Sequence, residues 1–219
     1  MSEQAHHRIV AHYENCLQRH GDSHLGVDWP RIEDVEKRHQ VMLGLVRPEL
    51  HSADRPARLL DFGCGLAHFY EFLLRHKIGH VDYSGLDLSP QFVARCREKF
   101  PDKTFYCLDL LDAATTMPRF DYIVLNGVFT EKRDLTHDEM LRYFRALVQV
   151  VFEHADIGIA FNVMSKQVDW ERADLFHLPM DELARFVTTA LKRHFVVRHD
   201  YGLYEYTTYV YREPTSWPK

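Results

Sequence analysis

Four groups of residues in this chain are of types that can hold a nucleoside. The stretch LLDFGCGLAHF, Leu59 to Phe69, carries Gly63 and Gly65 one residue apart, after an apolar run that ends in Asp61. Glycines so placed let the backbone turn sharply and bring its amides close to a ligand. Asp87 follows Gly63 by 24 residues, the type and spacing of a carboxylate that accepts both hydroxyls of a ribose. Asp109, in FYCLDLLD, can accept the exocyclic amine of an adenine while the amide of Leu110 reaches a ring nitrogen. Asn126-Gly127, after FDYIVL, is the fourth group. Alone, the glycine pair fits a bare turn as well as a ligand loop. The four together fit a nucleoside cofactor.

These side chains can cooperate only if the fold sets them side by side, and the apolar pattern supplies elements that do so. Apolar runs predict strands at 57–62, 81–88, 103–108, 120–125 and 157–161, and the first four each end at one of the four groups. Helices are predicted at 66–76, from Ser89 as N-cap and Pro90 at N1 to Phe100, and behind a capping box of Thr136 and Glu139. A further helix begins at Asp181. Residues 195–199 and 205–212 then form a strand pair. The last strand alternates Tyr206, Thr208 and Val210 against Thr207, Tyr209 and Tyr211, a half-buried antiparallel pattern. Upstream, helices are predicted at 6–19 and, with Asp28 as cap, up to about residue 47. They are expected to cover the binding edge of the sheet. Residues 164–178 show no period and read as an insertion over the site. The architecture implied is α/β, a Rossmann-like seven-stranded, mostly parallel sheet with helices on both faces. It has an antiparallel C-terminal strand pair and an N-terminal helical cap. The chain reads as one domain, 1–219, with the cap at 1–50 and the core at 57–212. In such sheets ligands bind outside the carboxyl ends of the strands.

Composition narrows the function. Of the 219 residues 46% are hydrophobic and 27% charged, and the net charge is −5. That is a globular composition, and its acidity argues against nucleic acid as partner. No apolar run is long enough for a membrane span. The N-terminal MSEQAHHRIV lacks the apolar core of a signal peptide, and Cys16, Cys64, Cys96 and Cys107 form no CxxC pair. A cytoplasmic protein with free thiols is expected. Fifteen histidines invite a metal. Yet His76 and His80 straddle a helix end, and His6, His7 and His12 sit on a predicted helix with no carboxylate or cysteine cluster expected beside them. With three or four converging ligands required, no metal is expected.

In order and spacing, LLDFGCGLAHF, YSGLDLSPQFV, FYCLDLLD and FDYIVLNGVF resemble the motifs of class I S-adenosylmethionine-dependent methyltransferases. The resemblance covers about residues 57–162, and that fold also ends in an antiparallel strand pair. It implies S-adenosylmethionine as cofactor and S-adenosylhomocysteine as product. It further implies that Asp61, Gly63, Cys64 and Gly65 line the methionine moiety. By the same resemblance, Asp87 holds the ribose, Leu88 packs on the adenine, Asp109 and Leu110 read the adenine edge, and Asn126 approaches the methionine end. Ala67 stands where the family often has a third glycine, and Thr130 where many members have a histidine. The stretches YENCLQRHGDSHLGVDWPRIEDVEKRHQ and DYGLYEYTTYVYR are similar to a bacterial branch of the same family that points to no particular substrate.

The acceptor side is less marked. His137, at the start of a helix after strand four, is the candidate base, and Lys132 in GVFTEKRD can orient an anionic acceptor. Arg38 can meet the cofactor carboxylate. Tyr13, Trp29, Tyr201 and Tyr204 are candidate acceptor contacts that also read as core, and Glu205, a carboxylate among tyrosines at the start of the last strand, is a further candidate. No Asn/Asp-Pro-Pro-Tyr tetrapeptide follows strand four. With the acidic charge this favours a small-molecule acceptor and O-methylation of a sugar or other small metabolite, by a monomer or homodimer. An N-methyltransferase, an aminopropyl transferase, an NAD(P)-dependent oxidoreductase and a non-catalytic binding module stay open as alternatives.

Overall fold

The structure, a computed structural model, describes residues 5–215, with side chains from residue 9 onwards. Strand positions point alternately to two sides, and here both sides are apolar. In β1 (Ala57–Phe62) Leu59 and Leu60 enter different cores. In β4 (Phe120–Phe129) Tyr122 and Val124 enter one core, Ile123 and Leu125 the other. A sheet buried on both faces needs two helical layers. One holds α5 (His137–Glu153) and α6 (Met180–Phe186), with Met140, Phe144, Val148 and Leu183 buried. The other holds α2 (Ile32–Leu43), α3 (His68–Arg75) and α4 (Pro90–Lys99), with Met42, Phe72 and Val93 buried.

The remaining strands are β2 (Val81–Asp87), β3 (Thr104–Cys107), β5 (Ala155–Ser165), β6 (His177–Leu178), β7 (Phe195–Arg198) and β8 (Glu205–Tyr211). Their order is β3-β2-β1-β4-β5-β8-β7, and β8 alone runs antiparallel to its neighbours. Strand order reverses between β1 and β4, which opens a crevice at their carboxyl ends.

Several expectations change. The sheet has eight strands, not seven, because β6 pairs in parallel with the end of β5. Two residues are too few to register as a period. Strand β8 is buried at every position rather than on one face. Helix α2 and the turn that follows it cover its second side, where Tyr209 donates its hydroxyl to Val41 O and Tyr211 to Leu45 O at 3.0 Å. The second helix is therefore a layer of the core, and the roof over the crevice is α1 (Ala5–His20) with the loop at 21–30. Asp28 does not cap α2. It ends a 3-10 turn at His24–Val27 with a left-handed φ of 56° and turns towards α1. Both β4 and β5 also outrun their predicted ends, so Asn126-Gly127 lies within β4, at an irregularity in its pairing with β5.

Candidate functional site

The crevice is built from the ends of β1, β2 and β4. Asp61, the fifth residue of β1, is 3% exposed and accepts a hydrogen bond from Tyr83 Oη at 2.9 Å. Burial pushes its carboxyl up to about 7, against the pull of the tyrosine. The chain then turns. Gly63 has φ 72°, and a Cβ there would stand 2.7 Å from Val128 Cγ2, so only glycine fits. Its amide and that of Cys64 both donate to Leu86 O, at 2.7 and 2.9 Å, which seats the loop against the end of β2. Ala67, in place of a third glycine, adopts the left-handed conformation itself (φ 58°).

Asp87 ends β2 and is fixed by two backbone donors, Gly65 N on Oδ2 and Ser89 N on Oδ1, both at 2.9 Å. Burial raises its carboxyl, and these donors oppose the rise. Each oxygen keeps acceptor capacity, so a vicinal diol can still bind. Two residues on, Ser89 caps α4 and donates to Glu14 Oε1 of α1 at 2.5 Å, which ties the roof to the floor.

Between floor and roof lies a first cavity, with about 1000 Å³ of empty space counted out through its mouth into solvent. Asp61, Gly63, Cys64, Asp87, Leu88 and Asn126 line it from below, and Ile9, Val10, Tyr13 and Trp29 from above. Two of its polar atoms, Asn126 Oδ1 and His39 Nδ1, are buried without a hydrogen-bond partner. In the sequence His39 is one position of the helical stripe Val35, His39, Met42 and Val46, and carries no other mark. It is 3% exposed among Trp29, Phe69 and Phe72, and burial lowers it to about 3, so the ring is neutral.

Other expected cofactor residues stand back from this wall. The Gly65 amide faces Asp87. Leu110 is core, and Asp109 Oδ1 accepts from Leu111 N at 2.9 Å. Asp109 still acts on Tyr143, a cavity residue whose hydroxyl is raised first by burial and then by Asp109. Arg38 is not at the cofactor cavity. Its Nε and Nη2 grip Glu205 at 2.9 and 2.8 Å, and Glu205 is 1% exposed. Asn162 Nδ2 donates to the same carboxylate at 2.9 Å, while Asn162 Oδ1 accepts from Gly127 N at 2.7 Å.

That network borders a second cavity, with about 1090 Å³ of empty space. Trp29, Arg38, Glu131, Trp170, Tyr204 and Glu205 are among its walls, so the 164–178 segment does cover it. Tyr13, Trp29 and Gly127 line both cavities. Gly127 has φ 82°, and a Cβ would press to 3.2 Å from Trp29 Cζ2. Tyr201, bonded to Thr207 Oγ1 at 3.0 Å, lies outside both cavities. So do the two expected catalytic residues. His137 Nε2 meets His177 O at 3.2 Å, and Lys132 Nζ donates to Leu135 O at 3.0 Å. His177, unmarked in the sequence, lines the second cavity instead, with Nδ1 donating to Ser165 O at 2.6 Å and Nε2 accepting from Arg172 N at 3.3 Å.

The ground for expecting no metal near the first helix also fails. Asp28 Oδ2 lies 2.7 Å and Cys16 Sγ 3.7 Å from His12 Nε2. The side chains of His6 and His7 lie outside the described residues.

Residues 60–150, which carry all four groups singled out in the sequence, match the family described as a methyltransferase domain. Rv1506c of Mycobacterium tuberculosis (strain ATCC 25618 / H37Rv), a candidate methyltransferase by its name, is 26% identical over 163 residues, 74% of this chain and 96% of that protein. Among solved structures, magnesium protoporphyrin IX methyltransferase from Synechocystis PCC 6803, with bound SAM, gives a TM-score of 0.61 at 16% identity, over 94% of this chain and 96% of that one. A SAM-bound amino pentose methyltransferase from Micromonospora echinaspora gives 0.55 at 15% identity, over 92% and 96%. At these identities the two structures establish the likeness of fold.

Proposed function

We propose, from the premise that the chain is a class I S-adenosylmethionine-dependent methyltransferase, that it methylates a hydroxyl of a sugar or other small metabolite held in the second cavity. The observation that carries this reading is the meeting of the two cavities at Tyr13, Trp29 and Gly127. Bound in the first cavity, the cofactor supplies an electrophilic sulfonium methyl group. The residues present fit it. Asp87 retains acceptor capacity for a ribose diol, and Asn126 Oδ1 and His39 Nδ1 are buried polar atoms in want of partners. The chain's own work is to align the two ligands and exclude water. Trp29 and Tyr13 stand at the junction, and Gly127, without a side chain, lets the Trp29 ring lie against it. Trp170 and Tyr204 offer flat faces on which a sugar or small ring can stack.

A second reading, N-methylation, rests on the charge of the same walls. Asp28, Asp34, Glu131, Asp169 and Glu205 line the second cavity against Arg38 and Arg172, a field that draws an amine-bearing acceptor. The test is methyl-labelled S-adenosylmethionine incubated with the protein and a fractionated pool of small metabolites. Label is expected in a small-molecule fraction, and mass spectrometry of the product separates an ether from a methylamine. Label confined to protein or nucleic acid, or no transfer at all, overturns the proposal.

A further inference from the structure

We propose that His12, Cys16 and Asp28 form a binding site for one divalent ion of the zinc class, seated between α1 and the loop that completes the roof. His12 and Cys16 are four residues apart on α1 and so share a face. Asp28 comes to that face from outside the helix, delivered by the left-handed end of the 3-10 turn. One imidazole nitrogen, one thiol sulfur and one carboxylate oxygen thus lie within 4.8 Å of one another. Among the described residues no other three such side chains converge in this way.

The distances suit a tetrahedral ion. With Zn–N near 2.0 Å and Zn–S near 2.3 Å, a tetrahedron sets sulfur and nitrogen about 3.6 Å apart, and nitrogen and oxygen about 3.3 Å apart. The Sγ to Nε2 distance is already 3.7 Å. The Nε2 to Oδ2 distance is 2.7 Å, a hydrogen bond, and must open by less than about 1 Å. Both side chains have room to do so, with side-chain exposures of 21% and 35%. A mixed sulfur, nitrogen and oxygen donor set selects zinc over magnesium or calcium, which take oxygen ligands. Three protein ligands leave a fourth position open. Asp28 is also a wall of the second cavity, so an ion held there borders the acceptor. The competing arrangement is a plain His12–Asp28 hydrogen bond with Cys16 alongside.

The experiment is a titration of the chelator-stripped full chain with zinc against a chromophoric indicator, repeated with cobalt as a spectroscopic probe. One equivalent of zinc is expected to bind and to raise the melting temperature. Cobalt should show thiolate charge-transfer absorption. Cys16→Ser and Asp28→Asn should each weaken zinc binding on the order of a hundredfold or more, and Cys16→Ser should abolish the thiolate band. S-adenosylhomocysteine titration of Cys16→Ser, whose side chain lies outside the first cavity, should give the parent affinity. That result shows that the variant is folded and keeps the cofactor reading separate from the metal. Absence of a one-equivalent site, equal zinc affinity in parent and variants, or a cobalt spectrum without thiolate absorption each overturns the proposal.

Discussion

Asp87 is held in place by the amides of Gly65 and Ser89 before any ligand arrives. Its replacement therefore removes a pre-set, charge-assisted diol acceptor. Asp87→Ala should weaken S-adenosylhomocysteine binding by about 2 kcal/mol, roughly thirtyfold, in calorimetric titration. An unchanged affinity would put the ribose elsewhere. Asp61 behaves differently, since burial raises its carboxyl to about 7 from an ordinary value near ~4. Between those two pH values the native chain keeps a proton that the unfolded chain has released. This residue thus makes the native state less stable as pH climbs through the window, by on the order of 4 kcal/mol in total. Asp61→Asn cannot ionise. Scanning calorimetry should show its melting temperature gaining on the parent's from pH 4 to pH 7, and a constant difference would refute the assignment. Residues of this kind were legible in the sequence. A glycine before a helix and a carboxylate at a strand end declare themselves by type and spacing. His39 did not, because a polar residue on an apolar stripe looks the same whether or not a cavity lies beside it.

Most elements were legible as well, and the exceptions have physical causes. Helix α5 begins where its capping box places it, with Thr136 Oγ1 accepting from Glu139 N at 3.2 Å and Glu139 Oε2 from Thr136 N at 2.8 Å. Thr136→Ala should cost about 1 kcal/mol in chemical denaturation and leave S-adenosylhomocysteine affinity unchanged. A loss of affinity would show that α5 positions the first cavity. In the sequence, polar Asn126 and Gly127 look like a loop, yet β4 continues through them to Phe129. The type of Asp28 and its distance from Pro30 suit a cap of α2, yet the helix starts behind Arg31. The left-handed turn that carries Asp28 away towards His12 is set by tertiary contacts, which leave no local periodicity.

Across the molecule the parts are joined by contacts of very long sequence separation. Arg38 of α2 and Glu205 of β8 are 167 positions apart, and their buried pair links one helical layer, the sheet and the second cavity. No spacing rule could have matched them. Arg38→Met strands a buried carboxylate and should lose about 3–5 kcal/mol of stability, whereas adding Glu205→Gln should recover part of it. A double-variant loss equal to the sum of the two single-variant losses, measured by denaturant unfolding, would mean that the pair is not coupled. The seven residues of β8 lie between β5 and β7 and are the means by which the C-terminal strand pair joins the rest of the sheet. During synthesis, a chain that has emerged only as far as β7 has the hydrogen-bonding edge of β5 still exposed and α2 without the tyrosines that seat it. Folding of the complete sheet must wait for residues 205–211, and until then the nascent chain presents the kind of open strand edge that chaperones exist to shield.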